Sequence, residues 1–304
     1  MRAILLFVLF SLSALTAPLR ACDACGCGLG SGGFGLLGLY RSNFVGLQYS
    51  YAGFRSFYTS GEPTGTQDGF HAATLAVRFS PLDRLRIDAS LPYQFNRRTS
   101  PDRGRQSLDG LSDLRIGAAY VLLQDQRVGK SDSKLYLEAG LQAVIPTGRY
   151  EEDMLHDHYL PDNFSPGRGA YGLAPRLLAA LSGNRFGTVI QVEGQLHGRA
   201  EDGYRYGNEI RAAWQVYSEH SLTPTLRLVP FLGIQYDYAA ANEAAADLPV
   251  HATGGRALLA RAGFQVRLPR ITLGCSAGTS LWDNFAGGEV AGRARLAAEV
   301  YYAF

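Results

Sequence analysis

The chain has 304 residues, a net charge of +2 and only 18% charged residues, so its charge leaves no footprint for binding nucleic acid. It holds 36 Gly, 17 Tyr and 15 Phe, and its only lysines are Lys130 and Lys134. Gly and aromatic enrichment with few helical patterns disfavours a helical globule and suits an all-β membrane barrel.

Met1–Ala21 reads as a secretory signal peptide: Arg2 leads an apolar run, and cleavage is expected after Ala21. No later stretch has the uninterrupted apolar run that a membrane helix requires. Residues 22–42 form a Cys/Gly-rich segment opening C-D-A-C-G-C-G, without strand alternation. Residues 43–304 alternate apolar and polar positions almost throughout, with no composition break marking a second domain.

Twelve strands are predicted. The first, Asn43–Phe54, sets Val45, Leu47, Tyr49 and Tyr51 against Gln48 and Ser50. After a turn-rich loop come Phe70–Phe79 and, beyond Ser80-Pro81-Leu82-Asp83, Arg84–Asn96. The fourth is Asp113–Leu123 and the fifth is near Lys134–Ile145, followed by the longest loop, Pro146–Ala170. The sixth, Tyr171–Leu181, turns at Ser182-Gly183-Asn184 into a seventh centred on Ile190–Leu196. Asn208–Ser218, Thr225–Tyr238, a tenth around Leu258–Arg267, and Ile271–Leu281 follow. Glu289–Phe304 is the last, apolar from Val290 to Phe304 in steps of two and charged at Arg293, Arg295 and Glu299. It resembles the C-terminal signal read by the outer-membrane barrel-assembly machinery. Connections after odd-numbered strands are expected to be long and those after even-numbered strands short or intermediate, the pattern of external loops and periplasmic turns. Outward aromatics gather at two levels, Tyr51, Tyr93, Phe95, Tyr236 and Tyr238 outside, and Phe79, Tyr120, Phe264, Tyr302 and Phe304 inside. The expected fold is an antiparallel up-and-down transmembrane barrel in the bacterial outer membrane.

Leu111–Gly148 contains S-D-L-R-I-G-A-A-Y-V-L-L and L-Y-L-E-A-G-L-Q-A-V-I-P-T-G, and Pro166-Gly167-Arg168-Gly169 follows. This block resembles the outer-membrane barrels of the phenol meta-pathway family. The resemblance implies a small barrel taking up small organic molecules. The C-D-A-C-G-C-G opening resembles a Bacteroidota-type subgroup of such proteins.

Three readings fit Cys22, Cys25 and Cys27: a soft-metal site for Cu or Zn, lipidation of Cys22, or a disulfide with one thiol left over. Cys275 falls on the apolar register of its strand and reads as lipid-facing. His156 and His158, beside Glu151, Glu152 and Asp153, offer a second metal or acid–base candidate, set against an ordinary solvated loop.

On the polar register the expected lumen cations are Arg84, Arg86, Arg115, Lys134, Arg176, Arg199, Arg211, Arg227, Arg261, Arg267, Arg293 and Arg295. Asp88, Glu138, Glu193, Glu209, Asp237 and Glu299 oppose them, an excess of positive charge that favours anions in a wet pore. The other reading is a charge-paired, closed interior. Function is therefore expected to be passage of a small solute, anionic or metal-associated. The alternatives are a membrane-embedded hydrolase, for which no G-x-S-x-G motif is present, and an assembly partner presenting the Cys segment to a periplasmic protein.

Overall fold

A computed structural model describes residues 42–304, apart from 57, 60, 61, 64, 130, 131 and 153. The expected signal peptide and Cys22, Cys25 and Cys27 lie outside the described residues. Alternation produces twelve long strands: β1 (Phe44–Ser56), β2 (Gln67–Leu82), β3 (Leu85–Ser100), β4 (Leu114–Arg127), β5 (Lys134–Ile145) and β6 (Gly172–Ser182). Then come β7 (Phe186–His197), β8 (Glu209–Ser218), β9 (Leu226–Ala239), β10 (Gly255–Arg267), β11 (Ile271–Phe285) and β12 (Val290–Ala303).

Each strand pairs antiparallel with its chain neighbours, and β12 pairs with β1 from Phe44↔Ala303 to Ser56↔Val290. The sheet is therefore a closed barrel, in which every edge is paired. Four short strands lie off the wall: Gly104–Leu111 extends the outer end of β3, His220–Thr223 pairs with the start of β9, and Tyr58–Thr59 pairs with Glu62–Pro63. The only α-helix among the described residues is the single turn Met154–His158.

Burial follows the pleat. Outward Leu75 and Leu232 are 54% and 62% exposed, whereas inward Gln265 is 0% exposed. This inversion of the soluble pattern is what a lipid solvent selects. Exposed Phe95, Tyr236 and Tyr238 sit at one end of the outward band, and Phe79, Tyr120, Phe264, Tyr302 and Phe304 at the other. The barrel is an outer-membrane one.

The interior is less uniform than a polar register suggests. Val121, Tyr136, Leu178, Val189, Tyr217, Val229 and Phe231 point inward and pack together across β4–β9. A second apolar group lies at the outer end, where Phe54, Phe70, Leu259 and Phe285 meet Met154, Leu160 and Phe164 of the long loop.

Two expectations need correction. The connection after β11 is short, 286–289, because Phe285 stays in the sheet opposite Gly255 and Val290. Burial of Phe285 and Val290 in the outer apolar group favours continuing the strands. The second is a bulge, where the β1–β12 register shifts between Ala52 and Phe54. The extra residue on β12 breaks the two-residue period, with consequences for Arg293.

Candidate solute path through the barrel

Charge pairs join strands distant along the wall into a belt across the lumen. On one side, Arg78 of β2 bridges to Glu138 of β5 at 2.5 Å, and Tyr136 donates its hydroxyl to the same carboxylate at 2.7 Å. Arg176 of β6 reaches Asp88 of β3, which also accepts from Gln142. Arg115 of β4 lies 3.0 Å from Glu193 of β7 and donates to Gln195. On the other side, Asp237 of β9 takes Arg211 at 3.2 Å and Arg295 at 2.7 Å. Glu299 accepts from Gln265 at 2.8 Å, and Arg261 donates to Gln235 and Ser276. Pairing is what permits these charges to be buried at all.

Most expected lumen residues line this interior, among them Arg86, Arg115, Arg211, Arg261, Arg295 and Glu299. Arg86 lies at the periplasmic end and donates to the carbonyls of Leu82, Asp83 and Leu85. Arg84 does not join them: it is exposed, in the two-residue turn 83–84 where β3 has not yet begun. Arg293 is also outside. The bulge turns it to the outer surface, where its Nη1 lies 3.4 Å from Gln67 Oε1. Lys134 and Arg227 are exposed at strand starts, and Arg199 belongs to the loop after β7, paired with Asp247.

Arg78, Arg98 and Asp68 belong to the interior and were missed. Arg98 holds Asp68 through two bonds of 2.8 and 2.7 Å. Arg78 was legible from the even-numbered polar positions of β2. The other two lie where β2 and β3 run beyond the apolar pattern. With these changes the interior is much closer to charge balance than parity alone suggests.

The outer mouth is covered by the loop 146–171. Phe164 is buried against Phe70, with ring centroids 4.8 Å apart, and its carbonyl accepts from Asn96 Nδ2 at 2.8 Å. Tyr206 donates to the Asp162 carbonyl at 2.8 Å, and Gln94 reaches that of Pro166 at 3.3 Å. The two glycine motifs meet at one carboxylate. Asp113 accepts the Gly148 N–H at 3.1 Å and the Arg168 N–H at 2.8 Å. A Cβ on Gly148 would stand 2.7 Å from the Ser112 backbone, and one on Gly167 would stand 2.8 Å from Gly148. These motifs are therefore the base of the loop, held too tightly for any side chain. Burial pushes the Asp113 carboxyl above the usual carboxylate range, against the pull of the two N–H groups. Burial likewise raises the Tyr150 hydroxyl, which stays protonated and donates to Asp202 at 2.7 Å.

His158 Nε2 lies 3.9 Å from Glu151 Oε2, while the side chain of His156 falls outside the described atoms. Among the described residues no three His, Cys, Asp or Glu side chains converge in a metal-binding arrangement. Cys275 is exposed on the outward face.

Two small cavities lie in the outer half. A cavity of about 20 Å³ lies beside Glu193, Glu209, Arg211, Asp237 and Arg295. Another of about 20 Å³ lies beneath the loop, at Asn163, Arg168 and Tyr206. Each admits about one water. At the periplasmic rim a cavity of about 770 Å³ opens between Ser42, Arg86, Gln124 and Arg270.

The family described as "Putative MetA-pathway of phenol degradation" matches residues 42–282. The chain belongs to this family. The match runs from two residues before β1 to within three residues of the end of β11, so it takes in eleven of the twelve wall strands. The fold is similar to that of the COG4313 outer membrane channel from Pseudomonas putida F1, with a TM-score of 0.63 at 14% identity, covering 93% of this chain and 100% of that one. It is also similar to the beta domain of the Bordetella autotransporter BrkA, with a TM-score of 0.53 at 14% identity, covering 86% and 100%. No curated protein sequence matches the chain.

Proposed function

We propose that this phenol meta-pathway family barrel is a gated outer-membrane channel for small anionic solutes, and that loop 146–171 is its gate. One observation carries the reading: the outer mouth is covered by a loop, not by wall strands, while the wall beneath is lined with Arg–carboxylate pairs. A barrel built only as a scaffold could fill that space with apolar side chains, as it does across β4–β9. Paired charges resist entry of bulk ions yet can exchange a carboxylate partner for an anionic solute. Arg211, Arg261 and Arg295 are the residues such a solute would meet below the loop.

Likeness to a solved channel supports this reading at the level of fold. The test is planar-bilayer conductance of the intact protein and of a variant in which a short Gly-Ser link replaces 150–165. The reading expects brief, rare openings in the first and a steady anion-preferring conductance in the second. A silent second variant, correctly folded, would make the barrel a closed scaffold.

The N-terminal segment is a separate proposal within the same reading. Cys22, Cys25 and Cys27, at C-x2-C-x-C spacing, bind one soft metal ion, Cu or Zn, on the periplasmic side. The chain enters β1 through Ser42 and Asn43, at the rim of the 770 Å³ cavity.

A further inference from the structure

The outer end of β1, β2, β3 and β12 carries a basic pocket on the face turned to lipid. Residues directly opposite in an antiparallel pair share a face. Tyr51 faces His71, Gly53 faces Gly69, and Arg55 faces Gln67 across β1–β2. The rows continue through Phe95, Arg97 and Thr99 on β3 to Asp109, Ser107 and Arg105 on the added strand. Arg293 joins from the other side through the β12 bulge: a Cβ on Gly53 would stand 3.5 Å from its own Cβ.

The result is a cavity of about 460 Å³. Gly69 is in its lining, and the Tyr51 ring lies over both it and Gly53: a Cβ on Gly69 would stand 3.3 Å from that ring, and one on Gly53 2.7 Å from its hydroxyl. Arg97, Arg105 and Arg293 stand round it, and His71 lies on the side nearer the membrane centre, its ring 4.8 Å from that of Tyr51. Beyond them the outward residues are apolar, including Leu47, Leu75 and Val300.

The acids of this end are turned away or engaged. Asp68 is in the cavity's lining, but its carboxylate is buried on Arg98, and Asp109 accepts the Tyr93 hydroxyl at 2.6 Å. Among the described residues neither Arg97 nor Arg105 forms a salt bridge to a carboxylate of this patch. Clustered cations repel one another, and an anion between them removes that penalty. Guanidinium groups match phosphate oxygens in a planar, two-bond geometry. The pocket sits at the outer interface, with aromatics beside it and lipid-facing aliphatics below.

We propose that this pocket binds a phosphate group of the phosphorylated glycolipid of the outer leaflet, lipopolysaccharide. The acyl chains would run down the aliphatic surface past Leu75. Depth supports this placement: on a barrel's outer face Arg costs about 2–4 kcal/mol at mid-membrane but only about 0–1 near the interface. Three arginines round the Tyr51 ring form a concave receptor at a depth where they cost little.

Native mass spectrometry of the full-length barrel in detergent tests this, using bisphosphorylated lipid A and the same lipid stripped of both phosphates. The expected result is one retained bisphosphorylated lipid, with the stripped form held roughly tenfold more weakly or worse. Arg97→Gln, Arg105→Gln and Arg293→Gln together should lower retention to the level of the stripped lipid. Heat-modifiable gel mobility checks that this variant folds. Arg105→Gln alone, on the added strand outside the barrel wall, should give a partial loss even if the triple variant misfolds. Equal retention of the two lipids, or unchanged retention in the variants, overturns the proposal. So does capture of inorganic phosphate without discrimination between the lipids, which would make this a soluble-anion site.

Discussion

The Asp113 carboxylate accepts the backbone N–H of Arg168 at 2.8 Å, although 55 residues separate them, and with its other oxygen it accepts the N–H of Gly148. One side chain before β4 therefore ties together both ends of the loop that covers the mouth. Bonds to an ionised acceptor contribute roughly 1.5–3 kcal/mol. Asp113→Ala should undock the loop by about 2 kcal/mol and raise the open probability of single channels severalfold. Asp113→Asn keeps one acceptor oxygen and sets an amide N–H₂ against the second donor, so it should fall between. Open probability unchanged in both variants would remove Asp113 from gating.

Leu75 tests the membrane register. It lies midway between Tyr51-facing His71 and the inner aromatic Phe79, and pairs with Leu47 and Leu91. Leu75→Arg should cost about 2–4 kcal/mol and block insertion into vesicles. Leu75→Phe should insert normally. Heat-modifiable mobility separates the two, and equal insertion of both would contradict lipid exposure at this position.

Cys22, Cys25 and Cys27 lie within six residues, and Gly26 and Gly28 relax the backbone around them. Reduced mature protein should bind about one Cu(I) or Zn(II). Cys25→Ser with Cys27→Ser should abolish this while barrel folding is retained. Intact mass separates the alternatives: added acyl chains mean a lipid anchor, and loss of two protons without metal means a disulfide. Metal retained by the double variant would move the site, with His156–His158 the next candidate.

The wall was legible because a lipid solvent imposes the period-two pattern on every strand. Leu47, Leu75, Trp214 and Leu232 all point where alternation puts them. Parity failed where the count itself is broken. Arg293 sits in a bulge, which no composition signal marks, and turns outward. Arg84 has the right parity but precedes its strand. The packing of the loop over the mouth was not legible either. Met154, Leu160 and Phe164 look like scattered apolar residues in a polar loop, and only folding brings them onto Phe70. The P-T-G and P-G-R-G motifs were visible, but their shared anchor, Asp113, is one acid among many until the three segments meet.

Asp237 offers the sharpest test of the lumen. Its carboxylate takes Arg211 from the neighbouring β8 and Arg295 from β12, 3.2 and 2.7 Å away, beside one of the small cavities. Removing one partner of a buried pair leaves the other uncompensated, at roughly 3–5 kcal/mol. Asp237→Asn should therefore lower the barrel's heat stability while leaving two cations facing the path. In the loop-shortened channel, anion preference should rise, read as a shift in reversal potential under a salt gradient. Arg211→Gln with Arg295→Gln leaves Asp237 exposed to the path instead, and the shift should reverse sign. The two variants change the net charge of one site in opposite directions, by −1 removed and by +2 removed, so a general loosening of the barrel cannot mimic the pair. Shifts of the same sign in both would place the conduction path away from Asp237.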